Sequence, residues 1–370
     1  MRTLVYSALA LTLVSVPGLA TENEWSSLDK EMENLSASLS AQNAPGPKAS
    51  GYVRISYRHS GDGEALDING SAGNPAIDES GFKLENVRIE VSGDAGSDYS
   101  YKVSFDLKGG SAELKDAYVK WKIAEDFSGT MGNFKQPFLH SGLVSKRSLL
   151  FIDRTALGRF FSERNLGLMV GGSFDTVDWA IAGQNDNDGK EDEHLFTARI
   201  AAHLMGSGAG KVEGAYGASE ETALSVGLAV ADKGTLVDGQ HFAVDASMTS
   251  GPFSVAAELV DFDKGDTAGN WAVGGKDDIW YGSDNAFTSW DPADTTPWSL
   301  TFSYMFTAMY EVGVRYEDAD NVDDQTALSI VVNRYVQGHD IKWQVQYMTA
   351  DGDQTFTDLD EISIGLTVAW

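Results

Sequence analysis

From residue 51 to the end of the chain, apolar and polar residues alternate with a period of two, and this pattern constrains the fold more than any other feature. Val53, Ile55 and Tyr57 alternate with Tyr52, Arg54, Ser56 and Arg58, and Val87, Ile89 and Val91 with Asn86, Arg88 and Glu90. Tyr99, Tyr101, Val103, Phe105 and Leu107 are interleaved with Ser100, Lys102, Ser104, Asp106 and Lys108. Ala117, Val119, Trp121 and Ile123 are interleaved with Asp116, Tyr118, Lys120 and Lys122, and the dyad returns in 298–306, 310–316, 341–347 and 362–370. Successive side chains of a strand point to opposite faces, so each run is a strand with one apolar face. Runs of about 9–11 residues match a tilted transmembrane strand, whereas strands of soluble sandwiches are usually nearer 5–6 residues.

Two further features separate a membrane barrel from a sandwich. Aromatic residues (Tyr57, Tyr99, Trp121, Trp298, Tyr310, Tyr316, Trp343, Tyr347 and Trp370) fall at the ends of the apolar faces, where interfacial girdles belong. The connections also sort by parity. Residues 93–96, 175, 250–251, 307–308 and 336–338 are tight turns; 60–80, 137–163, 184–193, 263–297, 318–325 and 350–358 are long and mostly acidic. Short inner turns and long outer loops are a barrel property. Gly109-Gly110 is a short outer connection and 205–221 a long inner one, so strand placement in 206–223 is the least defined. The expected fold is all-β: a transmembrane antiparallel barrel of about sixteen strands over residues 51–370.

The residues before it divide into three. Arg2, an apolar stretch from Leu4 to Val16 and a small-residue site at Gly18-Leu19-Ala20 predict a secretory signal peptide over 1–20, too short to cross a bilayer as a helix. Trp25, Leu28, Met32, Leu35 and Leu39 form a short heptad seam within a helix over 21–42, either a coiled coil or a surface amphipathic helix. Residues 43–50 are a Pro/Gly linker. The expected location is therefore the outer membrane of a Gram-negative cell.

The chain carries 27 Lys and Arg against 55 Asp and Glu, a net charge of −28, which argues against nucleic acid as a partner. There is no cysteine, hence no thiolate metal site or thiol nucleophile. Signature motifs of hydrolases, zinc proteases and phosphate-cradling loops are absent. No metal site, cofactor or catalytic residue is expected. Asp186-Asn187-Asp188-Gly189 is half of a calcium loop that lacks the closing Glu.

Leu114-Lys115-Asp116-Ala117-Tyr118 followed by Gly132-Asn133-Phe134-Lys135-Gln136-Pro137-Phe138 resembles the phosphate-selective porin O/P family. Phe151-Ile152-Asp153-Arg154, Arg164-Asn165-Leu166-Gly167 and the segment from Val332-Asn333-Arg334-Tyr335 to Trp370 are similar as well. The resemblance implies a trimeric outer-membrane porin whose third loop folds inward, with Lys135 and the 137–164 loop near a narrow anion path. Outer-membrane lipid and lipopolysaccharide would be its surroundings.

The charge pattern of the first strands points the same way. With the apolar residues facing lipid, Arg54, Arg58, Arg88, Lys102, Lys108, Lys120 and Lys122 face inward, against Glu90, Asp106 and Asp116. The 137–163 loop adds Lys146, Arg147, Arg154 and Arg159, with His140 able to charge below about pH 6.5. Lumen Lys and Arg either favour anions or pair with neighbouring carboxylates and stiffen the wall. Asp106 and Asp116 are expected to be such partners, orienting the cations. The expected function is a water-filled channel for passive diffusion of small hydrophilic solutes, anions such as phosphate among them. The alternatives are a structural tether working through the N-terminal helix, and a general or cation-leaning porin.

Overall fold

The computed structural model describes residues 46–61, 79–162, 164–185, 194–206, 212–232, 240–262, 295–320, 326–351 and 359–370. The expected signal peptide, the 21–42 helix and the half calcium loop at 186–189 lie outside the described residues, as do most of the long outer connections.

Sixteen strands close into one barrel in which every strand pairs antiparallel with its sequence neighbours and β1 pairs with β16. The first wall comprises β1 (Lys48–Gly61), β2 (Glu79–Ala95), β3 (Tyr99–Asp106), β4 (Glu113–Lys122) and β5 (Phe127–Lys135). It continues through β6 (Arg164–Phe174), β7 (Val177–Asn185), β8 (His194–Met205), β9 (Ala223–Asp232) and β10 (Gln240–Ser250). The remaining strands are β11 (Phe253–Phe262), β12 (Trp298–Thr307), β13 (Tyr310–Asp318), β14 (Thr326–Gln337), β15 (Ile341–Asp351) and β16 (Leu359–Ala369). The first strand begins at Lys48, three residues before the expected start. No described helix is long and apolar enough to cross a membrane.

Burial is inverted relative to a water-soluble sheet. Along β14, Leu328, Ile330 and Val332 are exposed while Ser329 and Asn333 are buried; along β15, Trp343, Val345 and Tyr347 are exposed while Lys342, Gln344 and Gln346 are buried. An apolar exterior around a polar interior satisfies all backbone groups within the wall and suits a hydrocarbon solvent. Trp298 and Tyr316 pack ring to ring on the outside, 5.3 Å between centroids. Closure is completed at the last residue: Gly51 and Trp370 exchange backbone hydrogen bonds of 3.2 and 3.0 Å. The Trp370 ring lies where any side chain at Gly51 would stand, 2.5 Å from an added Cβ.

The parity of the connections is as read. Six described inner turns span two to four residues, and the seventh inner connection, 206–222, is the long exception. No strand forms among its described residues, 206 and 212–222.

Candidate functional site

Two departures from simple alternation shape the lumen. The first is a β-bulge: Arg54 pairs with Asn86 but Ile55 with Leu84, which leaves Glu85 as an extra residue on β2. The extra residue turns Glu85 inward beside Asn86, and both are buried. The second is the connection between β5 and β6. Its described part, 136–162, carries two short helices, α1 (His140–Leu143) and α2 (Ala156–Phe160).

This loop crosses the inside of the barrel, because inward side chains on opposite walls hold it. From β8 the Arg199 guanidinium donates to Phe138 O at 2.5 Å, and from β10 Asp245 accepts from His140 N at 3.4 Å. On the far wall Asn333 and Gln344 donate to Leu150 O at 2.8 and 2.9 Å, and Gln346 accepts from Ile152 N at 2.9 Å. Lys342 donates to Leu149 O and Arg54 to Ile152 O. Thr155, the N-cap of α2, accepts from Gly158 N at 2.9 Å and donates to Glu258 at 2.5 Å, while Ala156 N donates to Glu317 at 2.7 Å. Hydrogen bonds to charged partners contribute roughly 1.5–3 kcal/mol each, so this many anchors make the loop part of the wall.

Apolar packing seals the outer end of the same half. Phe138, Leu139, Leu157 and Phe161 form one cluster with Leu195, Val260 and Phe262 from the outer ends of β8 and β11. The Phe138 and Phe161 rings stand 4.2 Å apart and Phe161 stacks on Phe262 at 5.8 Å. Burying each such ring is favourable by about 1.5–3 kcal/mol. Polar space remains beside the loop, bounded by side chains of β1–β10. There a cavity of about 580 Å³ lies between the wall and the loop segment 137–162.

The walls of this cavity carry eight Lys and Arg (Arg88, Lys102, Lys120, Lys135, Lys146, Arg154, Arg164, Arg199) and four carboxylates (Glu90, Asp116, Asp178, Asp245). The excess is positive in a chain whose total is −28. Asp116 gathers three of the cations: Arg164 at 2.8 Å, Lys102 at 3.5 Å and Arg88 at 3.9 Å, with the Ser104 hydroxyl donating at 2.7 Å. Lys102 also meets Glu90, Arg88 meets Asp106 at 3.3 Å, and Arg199 meets Asp245 at 2.6 Å. The other four are not paired with any described carboxylate. Lys135 donates to Gly142 O at 2.5 Å and Val144 O at 3.1 Å, and Arg154 donates to Val144 O at 2.6 Å. Lys120 and Lys146 face the cavity from β4 and from the loop.

Burial and the adjacent Arg54, Arg159 and Arg154 charges push the Lys146 ammonium down from its ordinary value. Burial likewise lowers Arg154, to about 10, with Glu213 acting in the opposite sense. His140 departs from the expectation that it charges below about pH 6.5. Burial pushes its imidazole down; Asp245 works against this, and Arg199 and Arg154 add to it.

Several expected lining residues stand elsewhere. Arg58 lies behind the loop, bound to Asp153 at 2.7 Å, Glu85 at 2.8 Å and Glu361 at 3.0 Å. Arg54 is likewise absorbed by Asn86 and Ile152 O. Arg159 pairs with Asp153 at 3.3 Å, and Arg147 with Asp340 of the β14–β15 turn at 3.6 Å. Lys108 is exposed in the outer β3–β4 connection and Lys122 at the inner end of β4. Arg164 and Arg199, which inward charge counting over the first four strands did not reach, are on the wall. Arg199 was visible as a lone charge between Ala198 and Ile200 in β8. No cluster of metal-ligating side chains occurs among the described residues.

A family profile described as phosphate-selective porin O and P matches residues 53–272. No curated protein sequence matches the chain. Among solved structures, a loop-L8 deletion variant of OmpT from Vibrio cholerae is 12% identical, with 88% of this chain and 99% of that one covered and a TM-score of 0.57. The outer-membrane channel DcaP of Acinetobacter baumannii is 13% identical, covering 88% and 97%, at 0.56. An anion-selective porin from Comamonas acidovorans is 11% identical, covering 88% and 99%, at 0.55. At these identities the likeness concerns the fold.

Proposed function

Because the chain belongs to the family of phosphate-selective porins O and P, we propose that its outer-membrane channel passes small hydrophilic solutes by diffusion and favours anions, phosphate among them. The observation that carries this reading is the excess of cations over carboxylates along the open side of the lumen, with Lys120, Lys135, Lys146 and Arg154 not paired with any described carboxylate. A fixed positive charge replaces part of the hydration an anion loses on entering. Low-dielectric walls focus that field more strongly than open solvent would. Around Lys146 an anion also relieves repulsion among neighbouring cations.

In this reading Asp106 and Asp116 are orienting partners, which hold Arg88, Lys102 and Arg164 at the wall. The protein has no catalytic centre and uses no cofactor. It sits among outer-membrane lipid and lipopolysaccharide as a homotrimer, delivered by its signal peptide. The test is single-channel recording in potassium chloride with phosphate added to one side. Chloride current that falls saturably with phosphate supports the preference, and current indifferent to phosphate contradicts it.

A further inference from the structure

Six described inner turns are two to four residues long, but the connection between β8 and β9 is not a turn. Its described residues 212–222 enter the inner end of the barrel, where Gly214 and Ala215 are buried and Glu213 is half-buried. Glu213 N donates to Ser148 O at 3.0 Å, and its carboxylate accepts from Leu150 N at 3.1 Å. Ala215 N donates to Glu311 on β13 at 2.5 Å. Tyr216 stacks on Tyr335 of β14, 3.9 Å between centroids, and meets His339 edge-on at 5.4 Å. Between these contacts Gly214 has a φ of +87°, and a Cβ there would stand 2.6 Å from Glu311 Oε1 and 3.0 Å from Leu150. Only glycine takes that conformation without strain.

We infer that residues 212–217 are a strut, which seats the lumen loop from the inner side and so fixes the width and charge of the passage, with Glu213 as its positioning residue. Side chains of β14 and β15 hold residues 149–152 from the flank. Glu213 grips 148–150 from the inner side, by two hydrogen bonds in opposite directions. Lys146 stands two residues before Ser148 in the same short 3₁₀ turn, so a loop that slips at 148–150 moves a cation of the cavity wall. The strut also occupies the inner end of the barrel along β13–β14, apart from the cavity that β1–β10 bound.

This inference rests on the channel reading, and the test separates the two. The full-length protein is recorded in planar bilayers beside Glu213→Ala, Glu213→Gln and Tyr216→Ala. Glu213→Ala and Tyr216→Ala are expected to raise single-channel conductance and shift the zero-current potential toward the cation side. Glu213→Gln keeps an oxygen that can accept from Leu150 N, and is expected to restore parental values. Parental conductance and potential in Glu213→Ala would overturn the strut and leave the channel standing, whereas a parent that does not conduct would remove the channel itself. Should Glu213→Ala yield no folded barrel, cysteines at positions 148 and 213 can be paired, since the chain has no other cysteine. The cross-link is expected to form and to conduct as the parent does, and its reduction to raise conductance. Failure to cross-link, or indifference to reduction, would overturn the inference.

Discussion

Arg58 of β1 and Asp153 of the lumen loop meet at 2.7 Å, so the loop is bolted to the first strand by a charge the strand turns inward. The same guanidinium neutralises Glu85 and Glu361. Arg58→Ala therefore takes the shared guanidinium from the buried Glu85 and Glu361 and from half-buried Asp153, which keeps Arg159. Breaking a buried pair by removing one partner costs roughly 3–5 kcal/mol. The variant is expected to lose its folded, gel-shifted form at distinctly lower temperature or denaturant than the parent; an unchanged midpoint would contradict this.

Charge reversal along the lumen should divide by position. At an effective dielectric of about 20, a unit charge about 8 Å from an ion contributes about 2 kcal/mol before salt screening. Lys120→Glu and Lys146→Glu, both on the cavity wall, are expected to lower the anion-to-cation permeability ratio several-fold. Lys122→Glu, exposed at the inner end of β4, is expected to leave it near the parental value. Equal effects at positions 120 and 122 would argue against the passage as placed here.

Gly132, in the Gly132-Asn133-Phe134-Lys135 stretch, has a φ of +130°, and an added Cβ would stand 2.2 Å from Ala117 O. Backbone strain of this kind costs about 1–3 kcal/mol before any clash. Gly132→Ala should reduce refolding yield in detergent by disturbing the β4–β5 pairing that carries Asp116 and Lys135. A yield equal to the parent's would contradict it.

His140 in the folded loop has its pKa lowered from 6.5, chiefly by desolvation. The unfolded chain then binds the extra proton below about pH 6.5, so stability falls with pH as it drops through that value. His140→Gln is expected to flatten the dependence of unfolding free energy on pH between about 7 and 5. A slope as steep as the parent's would place the acid sensitivity elsewhere.

The barrel was legible because membrane strands print their two environments residue by residue. Val53 and Ile55 face lipid, Arg54 and Ser56 face the lumen, and nothing else is needed to read that face of β1. Loop parity was legible for the same local reason. Glu85 was not, because a bulge on β2 sets it beside Asn86 against the alternation. The route of the lumen loop was not legible from local pattern either. It is decided by contacts nearly two hundred residues away in sequence, such as Asn333 and Gln344 on Leu150 O, and it converts Arg54 and Arg58 from candidate lining into anchors. The inner 206–222 connection was visible only as an exception of length. Its inward course depends on Gly214 and on partners in β13 and β14.

The most direct measurement is the zero-current potential of the reconstituted parent protein across a potassium chloride gradient. An excess of lumen cations over carboxylates predicts a potential on the chloride-selective side, strongest at low salt. A potential on the potassium-selective side would mean that the acid of the outer loops governs permeation, and would contradict the account.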